Sequence, residues 1–414
     1  MGTLILRIIA GILGFLGLAL ILFLWLAPPR VDASMNPVVP HAPYEISEEA
    51  RALHATIPVA DLHADSLLWN RDLLKRNDYG HVDIPRLREG GVFLQMFTAV
   101  TKTPKGQNYD ENDGSTDNIR TLAMAQRWPR RTWDSRTERA IYQAEKLAGF
   151  AEDSQVGRDG LAPLEIVRTS ADLDELLRIW TGGIELEVLS ADGGTTPVSL
   201  RGVAAILGTE GSHALDGDLA NIDRLFDAGY RVMGLHHFFD NKLGGSLHGT
   251  SGEGLTEFGR AAVSRMREKD IIIDVAHSSE QVVREVLAMG AGPLIVSHTG
   301  FDGHCPSPRN ISDETMEMIA EDGGLIGVGF WEDVTCDASP AGIADAIMWG
   351  ANRFGVDHIA LGSDFDGTVT TELDASELAA ITQALMDAGM EDDDIRKVMG
   401  GNAVRFFLEN LPEG

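Results

Sequence analysis

Eight short runs of apolar, largely β-branched residues recur along the chain, at 57 to 62, 92 to 99, 203 to 209, 231 to 236, 271 to 276, 293 to 297, 325 to 330 and 358 to 363. Runs of this length without polar alternation suit strands buried on both faces, as in a parallel sheet. Most of the intervals between them carry helical periodicity. Thr256 is placed to cap a helix running through Met266, and Ser278 or Ser279 to cap one that ends at Gly290, where glycine can take the left-handed closing conformation. Eight strands alternating with helices predict a (β/α)8 TIM barrel over residues 47–414, with a doubly wound open sheet as the alternative, because a strand count does not establish closure.

One interval breaks the rhythm. About 100 residues separate the second and third runs, and this 101–200 insertion carries helical patterns at 116 to 127, 136 to 150 and 171 to 180, followed by a Gly/Thr-rich loop or hairpin. On the strand-to-helix side of a barrel it would cover the active face; otherwise it is decoration.

Ahead of the barrel, residues 8 to 27 form twenty consecutive uncharged, mostly apolar positions, long enough for a transmembrane helix. A membrane anchor over residues 1–30 is therefore expected, since cleaved signals carry apolar regions of only about 7 to 15 residues. Cleavage near Val31-Asp32-Ala33 is the alternative. Arg7 precedes the span and Arg30 follows it, and the positive-inside rule then leans toward a catalytic domain outside the cytoplasm, on the periplasmic or extracellular face. Five prolines between 28 and 46 predict a stiff, extended linker over 31–46.

Composition narrows the partners. The formal charge of −29 argues against nucleic acid and anionic lipid surfaces. The two cysteines, Cys305 and Cys336, lack Cys-x-x-Cys spacing, so a thiolate zinc site is excluded, and whether they pair is left open.

The chemistry sits where the strands stop. Asp61-Leu62-His63-Ala64-Asp65 places His63 and Asp65 two apart, on one face of an extended strand, and imidazole with carboxylate suits zinc, with manganese or iron as alternatives. Glu210 ends the third run before Gly211, where a carboxylate could bridge two ions. His277 and His298 follow the fifth and sixth runs, so in a parallel barrel they come from neighbouring strands at one level. Asp364, after the eighth, is a candidate proton carrier; Asp366, before Gly367, reads as a turn residue. His237 and Arg309 are candidates to polarise a carbonyl and to pair with a carboxylate. None of the eight runs ends in lysine, so a carbamylated lysine bridge is excluded and Glu210 is left to do the bridging.

With these segments, the stretch His81-Val82-Asp83-Ile84-Pro85-Arg86-Leu87, Gly208-Thr209-Glu210-Gly211 with His213, Leu255-Thr256-Glu257-Phe258-Gly259, Pro308-Arg309-Asn310 and Gly362-Ser363-Asp364-Phe365-Asp366-Gly367, the chain from about 56 to 410 resembles the membrane dipeptidase (renal dipeptidase) family of metal-dependent barrels. The resemblance implies two zinc ions, one on His63 and Asp65, the other on His277 and His298, with Glu210 bridging. It implies that His237 and Arg309 bind substrate, that Asp364 handles protons, and that a metal-bridging hydroxide cleaves dipeptides, including those ending in a D-residue. His213 and Asp274 are expected to orient the ligands. The amino-terminal span, the 101–200 region and the Gly244 to Gly254 loop lie outside the resemblance. Two other readings stand beside it: a hydrolase of N-acyl amino acids, lactones or phosphoesters on the same scaffold, and a tethered protein whose metals are structural. A homodimer is an open partner state.

Overall fold

The structure, a computed structural model, describes residues 2–154, 164–182, 185–189, 195–199 and 201–414, with backbone alone for 2–4, 16, 18–25, 185–189 and 195–199. Eight parallel strands form the centre: β1 (Val59–Ala64), β2 (Val92–Val100), β3 (Val203–Glu210), β4 (Tyr230–Gly234), β5 (Ile272–Asp274), β6 (Ile295–Thr299), β7 (Leu325–Val328) and β8 (Ile359–Leu361). Each lies within two or three residues of its apolar run. Every strand pairs with its successor, and β8 returns to β1 through Asp61 and Leu361, so the sheet is a closed barrel rather than an open one. All eight are buried along their whole length, which is why they read as continuous apolar runs.

The helix signals hold. The Thr256 side chain accepts from the Gly259 N–H at 3.0 Å, and the Ser279 side chain from the Val282 N–H at 3.2 Å. Gly290 takes a left-handed φ of 62° just past the second of these helices. In the insertion, helices span Asn118–Ala125, Arg136–Asp153 and Ser170–Gly182, and Glu185–Leu189 pairs antiparallel with Thr195–Ser199.

The amino-terminal region departs from expectation. A helix runs from Gly2 to Met35, through Pro28 and Pro29. Among the described residues no helix is long and apolar enough to cross a membrane; nine of the twenty positions from 8 to 27 have side chains outside the described residues. The expected linker over 31–46 is not a free spacer. Asp32 and Asn36 are buried, Arg71 donates to Asp32 at 3.0 Å, the Val39 N–H donates to the Thr371 carbonyl and the Tyr44 hydroxyl to the Glu372 carbonyl. A proline-rich stretch pre-set to extended backbone loses little entropy on docking, so the composition that suggests a spacer serves equally as a packed strap.

Cys305 and Cys336 form a disulfide across 31 residues, tying the loop after β6 to the loop after β7. Closing a loop of that length is worth about 3–4 kcal/mol by the chain-entropy relation. Replacing both cysteines by serine is expected to lower the melting temperature by several degrees, a change that calorimetry on the oxidised parent and the double variant would register.

Candidate metal and substrate site

The ligand candidates converge at the carboxyl-terminal rim of the barrel, where active sites of this architecture lie. Period two along β1 sends Asp61, His63 and Asp65 the same way. Asp61 accepts from the Ser363 N–H at 2.7 Å and from Gln95 at 2.7 Å, which fixes the β1–β8 seam beneath His63. One level up, His63 Nε2 lies 3.5 Å from Asp65, 3.7 Å from Glu210 and 3.8 Å from Asp364. Glu210 Oε1 is 3.2 Å from His277 Nε2 and 3.5 Å from His298 Nε2, and its Oε2 is 3.3 Å from His237 Nε2. Glu210 is thus shared by two sets of groups that could each hold an ion, one with His63 and His298 and one with His237 and His277; a third joins His63, Asp65 and Asp364.

The donor set suits divalent cations. Four imidazoles and three carboxylates face one another almost wholly removed from water, and His63 Nε2 is buried without a hydrogen-bond partner among the described residues. Nitrogen and oxygen donors in this mixture match zinc, manganese or iron. The electrostatics agree. Burial, then the charge of Asp65, push the Glu210 carboxyl well above its ordinary range, and burial lifts Asp364 to about 8. Burial, reinforced by Arg309 and the neighbouring rings, holds His277 well below the usual imidazole value, and burial with the charge of His63 does the same for His298. Burial also disfavours a charged His63, but Asp65, Glu210 and Asp364 outweigh it and raise that ring to about 10. Carboxyls that resist ionisation and, His63 apart, imidazoles kept neutral are what a buried cluster does without a cation; a dication reverses the carboxyl preference.

Asp274 acts on the cluster through Ser297. It accepts from the Ser297 hydroxyl at 2.6 Å, and that hydroxyl stands 3.2 Å from His63 Nδ1 and 2.9 Å from His298 Nδ1, leaving both Nε2 atoms for a metal. His213 makes no hydrogen bond to the ligands among the described residues. It lies on the 3-10 turn Ser212–Leu215 beyond Glu210, its ring 5.0 Å from Phe239, and both ring nitrogens are buried without partners among the described residues. Gly211, with a left-handed φ of 90°, leaves room for the His213 ring: a β-carbon there would lie 2.5 Å from that ring and 3.3 Å from the His237 β-carbon.

Above the cluster is a cavity of about 210 Å³ lined by Glu210, His237, His277, Arg309 and Asp364, with Tyr109 on its wall. Arg309 is 1% exposed, and its guanidinium is held by the carbonyls of His298 at 2.7 Å and Ala276 at 3.1 Å. It has no carboxylate partner among the described residues, so it is a buried cation prepared for an anionic group. Asp364 takes a φ of 59°, and Gly367 gives its carboxylate room: a β-carbon there would run into Oδ1. Asp366 faces elsewhere, bound by Arg71 at 2.6 Å and the Ser66 hydroxyl at 2.6 Å.

Two residues that the sequence pattern passed over shape this cavity. Tyr109 comes from the polar loop after β2, accepts from the Trp331 indole at 3.0 Å, and lies 5.6 Å from Phe238. His248, from the glycine-rich loop, packs behind Phe238 and bonds the Tyr109 carbonyl. Part of the insertion therefore does reach the active face. The only advance signal was position: both loops follow the carboxyl ends of barrel strands.

A closed parallel barrel with a carboxylate shared between imidazole sets at its rim defines the metal-dependent hydrolase class of barrels. The chain belongs to the membrane dipeptidase family, Peptidase family M19, whose family model matches residues 186–411. It is 31% identical over 217 residues to Dipeptidase aclJ of Aspergillus oryzae, covering 49% of this chain and 50% of that protein. It is 25% identical over 340 residues to Dipeptidase tcpJ of Claviceps purpurea, covering 80% of this chain and 69% of that one. The chain thus spans about half the length of the first relative and rather more of the second. Among solved structures, a metallo peptidase from Rhodobacter sphaeroides liganded with a phosphinate mimic of the dipeptide L-Ala-D-Ala superposes with a TM-score of 0.64 at 24% identity, over 86% of this chain and 99% of that one.

Proposed function

We propose that this protein is a zinc-dependent dipeptidase, held at a membrane by its amino-terminal helix with the catalytic barrel outside the cytoplasm, and that its substrates are dipeptides, including those with a D-residue at the carboxyl end. The observation that carries the reading is Glu210 standing between two imidazole sets, on the wall of a small cavity that also presents Arg309, a cation with no carboxylate partner among the described residues. A cavity of about 210 Å³ is smaller than the roughly 300–1,000 Å³ of drug-sized sites, which favours short substrates. His63 and Asp65 would hold one zinc, His277 and His298 a second, with Glu210 bridging. The ions would supply Lewis acidity, polarising the scissile carbonyl and making water acidic enough to be a nucleophile near neutral pH.

The chain's own groups do the rest. Arg309 pairs with the terminal carboxylate and fixes where the peptide bond lies. His237, kept neutral by burial, donates to the oxygen of the attacked carbonyl as charge develops there. Asp364 accepts the proton of the attacking water and returns it to the departing amine. The phosphinate dipeptide in the Rhodobacter relative supports a D-residue at the carboxyl end. Exposed apolar side chains along the first helix, among them Leu6, Leu13 and Phe15, support membrane attachment, and the Cys305–Cys336 disulfide supports an oxidising compartment.

The decisive assay offers the full-length, zinc-loaded protein L,L and L,D dipeptides, their carboxyl-terminal amides, N-acyl amino acids, a lactone and a phosphoester. Dipeptides with a free carboxylate are expected to be cleaved at least about 100-fold better than their amides, the loss being that of a charge-assisted pair of about 3 kcal/mol. A folded, metal-loaded protein that ignores dipeptides and turns over one of the other substrates would transfer the assignment to that reaction.

A further inference from the structure

Three non-glycine residues in the loop after β8 take left-handed backbone: Asp364 at φ 59°, Asp366 at 63° and Thr368 at 68°. Such conformations cost free energy and persist only where the surroundings over-determine them. The surroundings here are the residues that follow the amino-terminal helix. Asn36 Oδ1 accepts from the Thr368 N–H at 2.9 Å, the Thr371 N–H donates to the Pro37 carbonyl at 3.2 Å, and the Val39 N–H donates to the Thr371 carbonyl at 2.8 Å. Beneath them Arg71 donates to Asp32 at 3.0 Å and forms an ion pair with Asp366 at 2.6 Å, while Asn36 donates to Asp32 at 2.9 Å. Asp32 and Asn36 are 2% and 1% exposed, so these bonds are made out of water's reach. The loop they hold is a wall of the catalytic cavity, through Asp364, Gly367, Thr368 and Val369.

We propose that the segment from Asp32 to Val39 is a positioning clamp for this loop, with Asp32 acting through Arg71 and Asn36 through the Thr368 N–H to keep Asp364 at the reacting bond. The membrane-proximal stretch is then part of the active site rather than a tether. The inference rests on Asp364 as the proton carrier.

Full-length metal-loaded Asn36→Ala, Asn36→Asp, Asp32→Asn and Asp364→Asn would be compared with the parent for kcat, KM, metal content and melting temperature. Asp364→Asn is expected to remove turnover. Asn36→Ala and Asp32→Asn are expected to lower kcat about 10- to 100-fold with KM within about twofold, the signature of a displaced group, while metal content and melting temperature hold. Asn36→Asp, which keeps the acceptor for Thr368 but sets a carboxylate against Asp32 where the amide donated, is expected to recover only part of the loss. Parent-like kcat in both Asn36→Ala and Asp32→Asn beside an inactive Asp364→Asn overturns the clamp. So does a loss that follows the melting temperature alone. Parent-like turnover in Asp364→Asn overturns the proton-carrier reading and the clamp with it.

Discussion

Replacing Glu210 by glutamine is expected to lower kcat/KM at least about 1,000-fold, roughly 4 kcal/mol of transition-state stabilisation, without unfolding the barrel. The amide has the carboxylate's shape but no charge, and its NH2 would confront imidazole nitrogens that now lie 3.2 to 3.7 Å from Oε1. It could bridge neither of the two proposed ions. Stability should move the other way. The carboxylate is buried beside Asp65 and resists ionisation, so a neutral isostere relieves that cost in the metal-free protein, whose melting temperature should stay level or rise. Near-parental turnover in the variant would remove Glu210 from the mechanism; a collapse of the fold would mean that its role is structural.

Stripping the metals should abolish turnover and lower the melting temperature together. An ion that binds only the folded chain contributes RT ln(1 + [M]/Kd), about 4 kcal/mol at a thousand times Kd. No unfolded chain can reproduce a cluster drawn from β1, β3, β6 and the loops after β1, β4, β5 and β8, so nearly all of that term is expected to appear as folding stability. After dialysis against a chelator, zinc should restore activity and melting temperature in parallel, reaching full turnover near two equivalents by elemental analysis. Manganese is the informative second ion. Full activity in protein shown to be metal-free would end the metal-dependent reading.

Much of this was legible in the chain. Buried parallel strands leave unbroken apolar runs, and period two alone puts His63 and Asp65 on one side. Closure was not legible, because the pairing of Asp61 with Leu361 joins the two extremes of the barrel and no local pattern encodes it. Tyr109 sits in a loop with the composition of any solvated turn; only its bond to Trp331 distinguishes it. The prolines between 28 and 46 hid a packed strap, since the partners of Asp32 and Asn36 are Arg71 and Thr368, far away in sequence. His213 follows Glu210 by three residues, past the end of β3 on the Ser212–Leu215 turn, so strand spacing does not place its ring.

The seam between β8 and β1 also sets the order of events in biosynthesis. The Ser363 hydroxyl donates to the His63 carbonyl across 300 residues of chain, so the first ligands leave the ribosome long before the last residues that complete their pocket. Every proposed zinc ligand is made by residue 298, yet the barrel that seats them closes only when β8 pairs with β1. Under the proposed export of the barrel across a bilayer in an extended state, the chain would reach the far side without a formed site and would draw its ions from that compartment's supply.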